Sequence, residues 1–173
     1  LSILNIKENI IRNKTKQLKK QLSDGYLDAK QPIRRIAILN NPVSKLTYDR
    51  LKYIEKITGL DTRNFDILTV KGRNDNYNEL RGVIATKSDF SVFGKITSTE
   101  ILEFLDRNYD LLVDFTGIQN EIELYFSLAI KSKFRVGYFL DDNIYDLMLD
   151  VKHGDIKAYT DELIRYLRIL EYL

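Results

Sequence analysis

The sequence predicts an α/β domain built on a mainly parallel central sheet, with helices on both faces and an amphipathic basic helix in front of it. Three observations lead there. Short, continuous apolar runs of strand length recur along the chain, as expected for strands buried on both faces. Amphipathic stretches of helical period alternate with those runs. Turn-forming Asn, Asp and Gly follow the apolar runs, where a parallel sheet needs its strand-to-helix connections. This element order matches Rossmann-like and flavodoxin-like architectures.

Residues 3–22 read as a helix: at about 100° per residue, Leu4, Ile11, Thr15, Leu18 and Leu22 form one stripe, flanked by Ile3, Ile6 and Ile10. Asp24-Gly25 stops it, and the polar stretch to Pro32 reads as a linker. Ile36–Leu39 is the first strand, followed by an Asn40-Asn41-Pro42 turn and a helix to about Ile57 for which Ser44 is the expected cap. Gly59-Leu60 suits a left-handed helix end with a hydrophobic contact. Phe65–Val70 is a strand, and Lys71 to Asn76 a polar loop. Val83-Ile84-Ala85 and Phe90 to Phe93 read either as short strands or as an irregular excursion. Thr97 with Glu100 has capping-box spacing for a helix to about Arg107. Asp110–Phe115 is a strand, Asn120 and Glu123 open the next helix, Phe134–Leu140 is a strand, and Asp155 caps a final helix.

Composition narrows the chemistry. The chain has 173 residues and no cysteine, which excludes disulfides, thiolate metal sites and cysteine nucleophiles and suits a reducing compartment. No apolar run has the roughly 18 residues of a membrane span, and Asn5, Lys7, Glu8 and Asn9 break up the start. A cytoplasmic protein is expected. Net charge is +2 but unevenly spread: residues 1–35 hold nine Lys and Arg against three Asp and Glu, so the remainder is net negative. The expected division is residues 1–31, basic helix and linker, and residues 32–173, a single α/β domain.

Tyr109-Asp110-Leu111-Leu112-Val113 is followed by a helix, by Ser132-Lys133-Phe134-Arg135-Val136-Gly137, and by a loop with Asp141-Asp142. The chain then closes on Glu162-Leu163-Ile164-Arg165-Tyr166-Leu167-Arg168-Ile169-Leu170. Together these segments resemble an uncharacterised family of small cytoplasmic Bacteroidota proteins, known only as a domain of unknown function, which also begins with a basic helix. The resemblance implies an α/β domain in a bacterial cytosol. It carries over no catalytic residue.

Glycine spacing bears on cofactors. The nearest glycine pair, Gly72 and Gly82, is ten positions apart, whereas dinucleotide and P-loop motifs need glycines within about five. No cofactor is expected. His153 is the sole histidine, so multi-histidine metal sites are excluded, no G-x-S-x-G elbow accompanies it, and His153-Gly154 reads as a turn.

Two sets of candidate residues remain. Asn40, Asn41, Lys71, Asp114, Thr116, Asp141 and Asp142 follow strands, and the carboxyl ends of parallel strands share a crevice suited to a ligand or Mg²⁺. The same residues are also ordinary turn formers. Arg12, Lys16, Lys19 and Lys20 share one side of the first helix, a stripe suited to several phosphates and equally to a solvated face. The expected function is a non-catalytic binding or adaptor protein engaging RNA, the ribosome or a partner protein through that helix. The alternative is an enzyme, or a protein binding a small ligand or Mg²⁺, that uses the crevice carboxylates.

Overall fold

A computed structural model describes residues 3–22, 32–72, 75 and 82–173, with side chains from residue 6 onward. The Ile3 and Leu4 side chains, the stop at Asp24-Gly25, the linker up to residue 31 and most of the polar loop beyond Gly72 lie outside the described residues.

The first helix, α1, spans Ile3–Gln21. Strands β1 (Ile36–Asn40), β2 (Phe65–Val70), β3 (Val83–Ala85), β4 (Tyr109–Asp114), β5 (Ser132–Tyr138) and β6 (Leu147–Leu149) form one sheet in the order β3-β2-β1-β4-β5-β6. Every adjacent pair is parallel. Helices α2 (Tyr48–Thr58), α3 (Thr99–Asp106), α4 (Glu121–Ala129) and α5 (Ile156–Ile169) complete the domain.

Side-chain alternation splits the core into two layers. Ile36, Ile38, Leu111, Val113 and Val136 pack with Leu51 and Ile54 of α2 and with Tyr159, Leu163 and Leu167 of α5. Ala37, Leu39, Leu68 and Leu112 pack on the opposite face with Ile11 of α1, Ile101 and Phe104 of α3, and Phe126 of α4. Strand order reverses between β1 and β4, which makes their carboxyl ends the switch point where sheets of this kind hold ligands.

Several helix starts differ from expectation. Ser44 does not cap α2: Asn41 opens a one-turn 3-10 helix over Pro42–Ser44, its side chain accepting from the Ser44 N–H, and Thr47 caps α2 instead. Asn-Pro is so strong a turn former that it consumes Ser44 before the helix begins. Ser98, not Thr97, caps α3, because the Thr97 hydroxyl donates to the Asp89 carbonyl at 3.0 Å. The capping box forms at Thr86 and Asp89. Phe90 makes only an isolated antiparallel bridge with Ile96, so the stretch from Phe90 to Phe93 is the irregular excursion. Gly59, Asn120 and Asp155 end or cap their helices as expected.

Candidate functional site

The switch point is filled by buried polar side chains. From the end of β1 come Asn40 and Asn41, from the following turn Ser44, from the end of β4 Asp114 and Thr116, and from α4 Glu123 and Ser127; all are buried. Ser44 donates its hydroxyl to Asn40 Oδ1 and approaches the Asn41 carbonyl at 2.9 Å. The Asn41 amide spans the crevice, donating to the Thr116 carbonyl at 3.1 Å and to Glu123 Oε1 at 2.9 Å. The second Glu123 oxygen accepts the Gln119 N–H at 2.5 Å.

Asp114 is held as tightly. Its Oδ1 accepts from the Thr116 N–H at 2.9 Å and the Thr116 hydroxyl at 2.6 Å. Its Oδ2 accepts from the Tyr145 hydroxyl at 2.7 Å, which itself receives Ser127 Oγ at 3.3 Å. The Tyr159 hydroxyl donates to the Asp114 carbonyl at 2.9 Å. No carboxylate, amide or hydroxyl atom of this cluster is left buried without a partner.

Burial sets the electrostatics. It pushes the Asp114 carboxyl above its ordinary range, against the opposing hydrogen bonds from Thr116 and Tyr145. It does the same at Glu123, against the bonds from Asn41 and Gln119, and the neighbouring Asp114 charge adds to the rise. The Tyr145 phenol is raised well above its usual value by burial and by the Asp114 charge.

The β4-to-α4 loop turns through two left-handed residues, Gly117 (φ 66°) and Ile118 (φ 46°). This conformation brings the loop against the half-buried His153. A Cβ on Gly117 would lie 2.3 Å from the imidazole. His153 Nε2 meets the Thr116 carbonyl at 2.8 Å; a carbonyl only accepts, so Nε2 carries the proton. The ring packs edge-on against Tyr138 at 5.1 Å. The Tyr138 hydroxyl is buried without a well-aligned hydrogen-bond partner.

Of the expected crevice residues, Asn40, Asn41, Asp114 and Thr116 therefore meet. Lys71 lies apart, its ammonium 3.3 Å from the Asp75 carbonyl. Asp141 and Asp142 are exposed, and Asp142 pairs with Lys19 at 2.6 Å. Ser44, Glu123, Ser127, Tyr145 and Tyr159 join the cluster without having been singled out for it. The one sequence signal for Tyr145 is Gly137 inside a strand, where a missing side chain marks a close approach. Among the described residues no group of three or more His, Asp or Glu is arranged to hold a metal ion.

Helix α1 lies against α4 with Ile11 and Thr15 buried and Leu18 half-buried. On its basic side Arg12 pairs with Glu121 at 3.1 Å and Lys19 with Asp142. Lys16 and Lys20 are exposed, with no ion pair among the described residues. No described helix is long and apolar enough to cross a membrane.

Neither the curated proteins nor the solved structures contain a match to this chain. A family model does match, over residues 7–170, from within α1 to the end of α5. The chain belongs to that family, described as a family of unknown function, DUF6913.

Proposed function

We propose that this protein is a non-catalytic binding protein of the bacterial cytoplasm, which engages RNA through the outer, basic flank of α1. The observation that carries the reading is the division of labour around that helix. Its apolar edge is committed to the body through Ile11, while Lys16 and Lys20 face solvent without counter-ions among the described residues. Arg12 and Lys19 stand beside them in ion pairs whose cationic side chains are 53% and 39% exposed. Exposed pairs of this kind contribute about 0–1 kcal/mol, so a phosphate can displace Glu121 or Asp142 at little cost. Residues 36–173 carry more acidic than basic side chains, so the net positive charge of the chain lies at its front. The test is binding of a single-stranded RNA oligonucleotide at low and moderate salt. Affinity that falls steeply with salt supports the reading; salt-insensitive binding, or none, rejects it.

A second reading is favoured by the switch-point cluster: a small-ligand site or enzyme using Asp114, Glu123 and His153. Its support is that buried carboxyls with raised pKa values lie close to the half-buried His153 imidazole, which meets the Thr116 carbonyl beside Asp114. The complete mutual satisfaction of the carboxylates weighs against it, because a ligand would have to break bonds already made.

A further inference from the structure

We infer that the groove between the end of α1 and the amino-terminal ends of β4 and β5 binds a small amphipathic oxyanion, recognised by Arg135. The groove lies away from the switch point, and its volume of about 750 Å³ suits a small molecule. Its apolar wall comes from Leu18, Leu22, Leu128 and Ile130, and its polar wall from Lys131, Ser132, Lys133 and Arg135.

Arg135 is the decisive residue. It sits on β5 opposite Leu112, on the face that carries α4, and is only 9% exposed. Its Nε is buried without a hydrogen-bond partner, and so is the hydroxyl of Ser132 in the same wall. Among the described residues the guanidinium makes one long bond, from Nη2 to the Ile130 carbonyl at 3.3 Å, and the nearby Asp146 carboxylate acts on its charge. One oxygen of the nearby Asp146 accepts the Arg135 backbone N–H at 2.7 Å. Two unpaired buried donors, one of them on a cation, are a standing cost that native structures rarely carry without a reason.

The mouth of the groove has the same polarity. Its one carboxylate, Asp110, is engaged by Lys133 at 2.7 Å and by the backbone N–H groups of Arg34 and Arg35 at 2.9 and 3.1 Å. Lys131 pairs with the exposed Asp106 at 3.2 Å, a contact worth little in water, and the Arg135 guanidinium has the nearby Asp146 as its opposing charge. A planar carboxylate or a phosphate offers the fork of acceptors that a guanidinium lacks here, and an apolar tail would cover Leu18, Leu22 and Leu128. Arg12, Lys16, Lys19 and Lys20 contribute nothing to this lining, so the site is independent of RNA binding.

The test follows the Arg135 Nε–H resonance in proton–nitrogen spectra of the intact protein during titration with octanoate, octyl phosphate, inorganic phosphate and octanol. Saturable shifts with octanoate or octyl phosphate, weaker ones with inorganic phosphate and none with octanol support the site. The stronger of the two octyl compounds identifies the head group. Arg135→Gln should weaken binding about 10- to 100-fold, the loss typical of a charge-assisted bond. Ala129→Leu, which narrows the groove and leaves the guanidinium in place, should weaken it too. The Arg12, Lys16, Lys19 and Lys20 glutamine variant should bind as the unmodified protein does. No saturable shift at about 10 mM ligand, or an equal response to octanol, overturns the proposal. The titration of the unmodified protein decides the matter even where Arg135→Gln fails to fold.

Discussion

The Tyr145 ring rests on Gly137, where an added Cβ would come within 2.3 Å of the ring carbons. Only a glycine at this position, the last but one of β5, lets the ring lie this close to the sheet. From there its hydroxyl reaches Asp114 Oδ2 at 2.7 Å on the adjacent strand. A strand glycine thus sets the environment of the most deeply buried carboxylate in the cluster.

Gly137→Ala should displace that ring and break its bond to Asp114, costing about 2–4 kcal/mol from overpacking and the lost charge-assisted bond together. Tyr145→Phe, which removes the hydroxyl and keeps the ring, should cost less, about 1–3 kcal/mol. Urea unfolding of both variants checks the order. A Gly137→Ala protein as stable as the original would show that the ring is not held where the structure has it.

Asp114 and Glu123 should respond oppositely to amide substitution. Both folded-state pKa values are raised, so each carboxyl's contribution is greatest in acid and declines as pH climbs from the unfolded value, about 4, through the raised folded value. Asp114→Asn removes that decline. Because the Tyr145 hydroxyl can rotate to accept from an amide and donate to Ser127, the variant should match or exceed the original protein at pH 7, with an advantage that grows from about pH 4 upward. Glu123 faces two N–H donors, from Asn41 and Gln119, so Glu123→Gln sets donor against donor and should cost about 1–3 kcal/mol. Unfolding midpoints between about pH 4 and 8 separate the two cases.

The anchoring of α1 should rest on its apolar edge. Ile11 is 1% exposed, and Ile11→Ala should destabilise the protein by about 2–5 kcal/mol. Glutamine at Arg12, Lys16, Lys19 and Lys20 removes only two exposed ion pairs and should cost no more than about 1–2 kcal/mol. Thermal melts of both variants make the comparison.

The four longer apolar strands were legible because a strand buried on both faces must be continuously apolar, as Ile36 to Leu39 and Leu111 to Val113 are. The apolar run of β6, Leu147-Met148-Leu149, is only three residues long, and pairing with β5 rather than its own pattern makes it a strand. Asn40, Asn41, Asp114 and Thr116 were legible from the rule that ligand crevices lie at strand ends. Glu123 and Tyr145 escaped because each reaches the crevice from another element, through packing that spacing does not encode. Lys71, Asp141 and Asp142 share the local pattern of a strand end yet sit in connections that diverge from the switch point. Thr47 and Ser98 displaced the expected caps because neighbouring turns claimed Ser44 and Thr97 first.

Widely spaced glycines also predict how the switch point treats nucleotides. Calorimetry should detect no micromolar affinity for NAD or ATP. Micromolar binding with phosphates on a strand-to-helix turn would refute that expectation.

The most direct test of the binding role is filter binding of single-stranded RNA to the original protein and to the variant with glutamine at positions 12, 16, 19 and 20. The original should bind with an affinity that falls with salt, and the variant should lose most of that affinity while keeping its fold. The slope of log affinity against log salt should shrink by about 0.7 for each phosphate contact removed. Equal RNA binding by the two proteins, or none by the original, would contradict the account and leave α1 as a docking element alone.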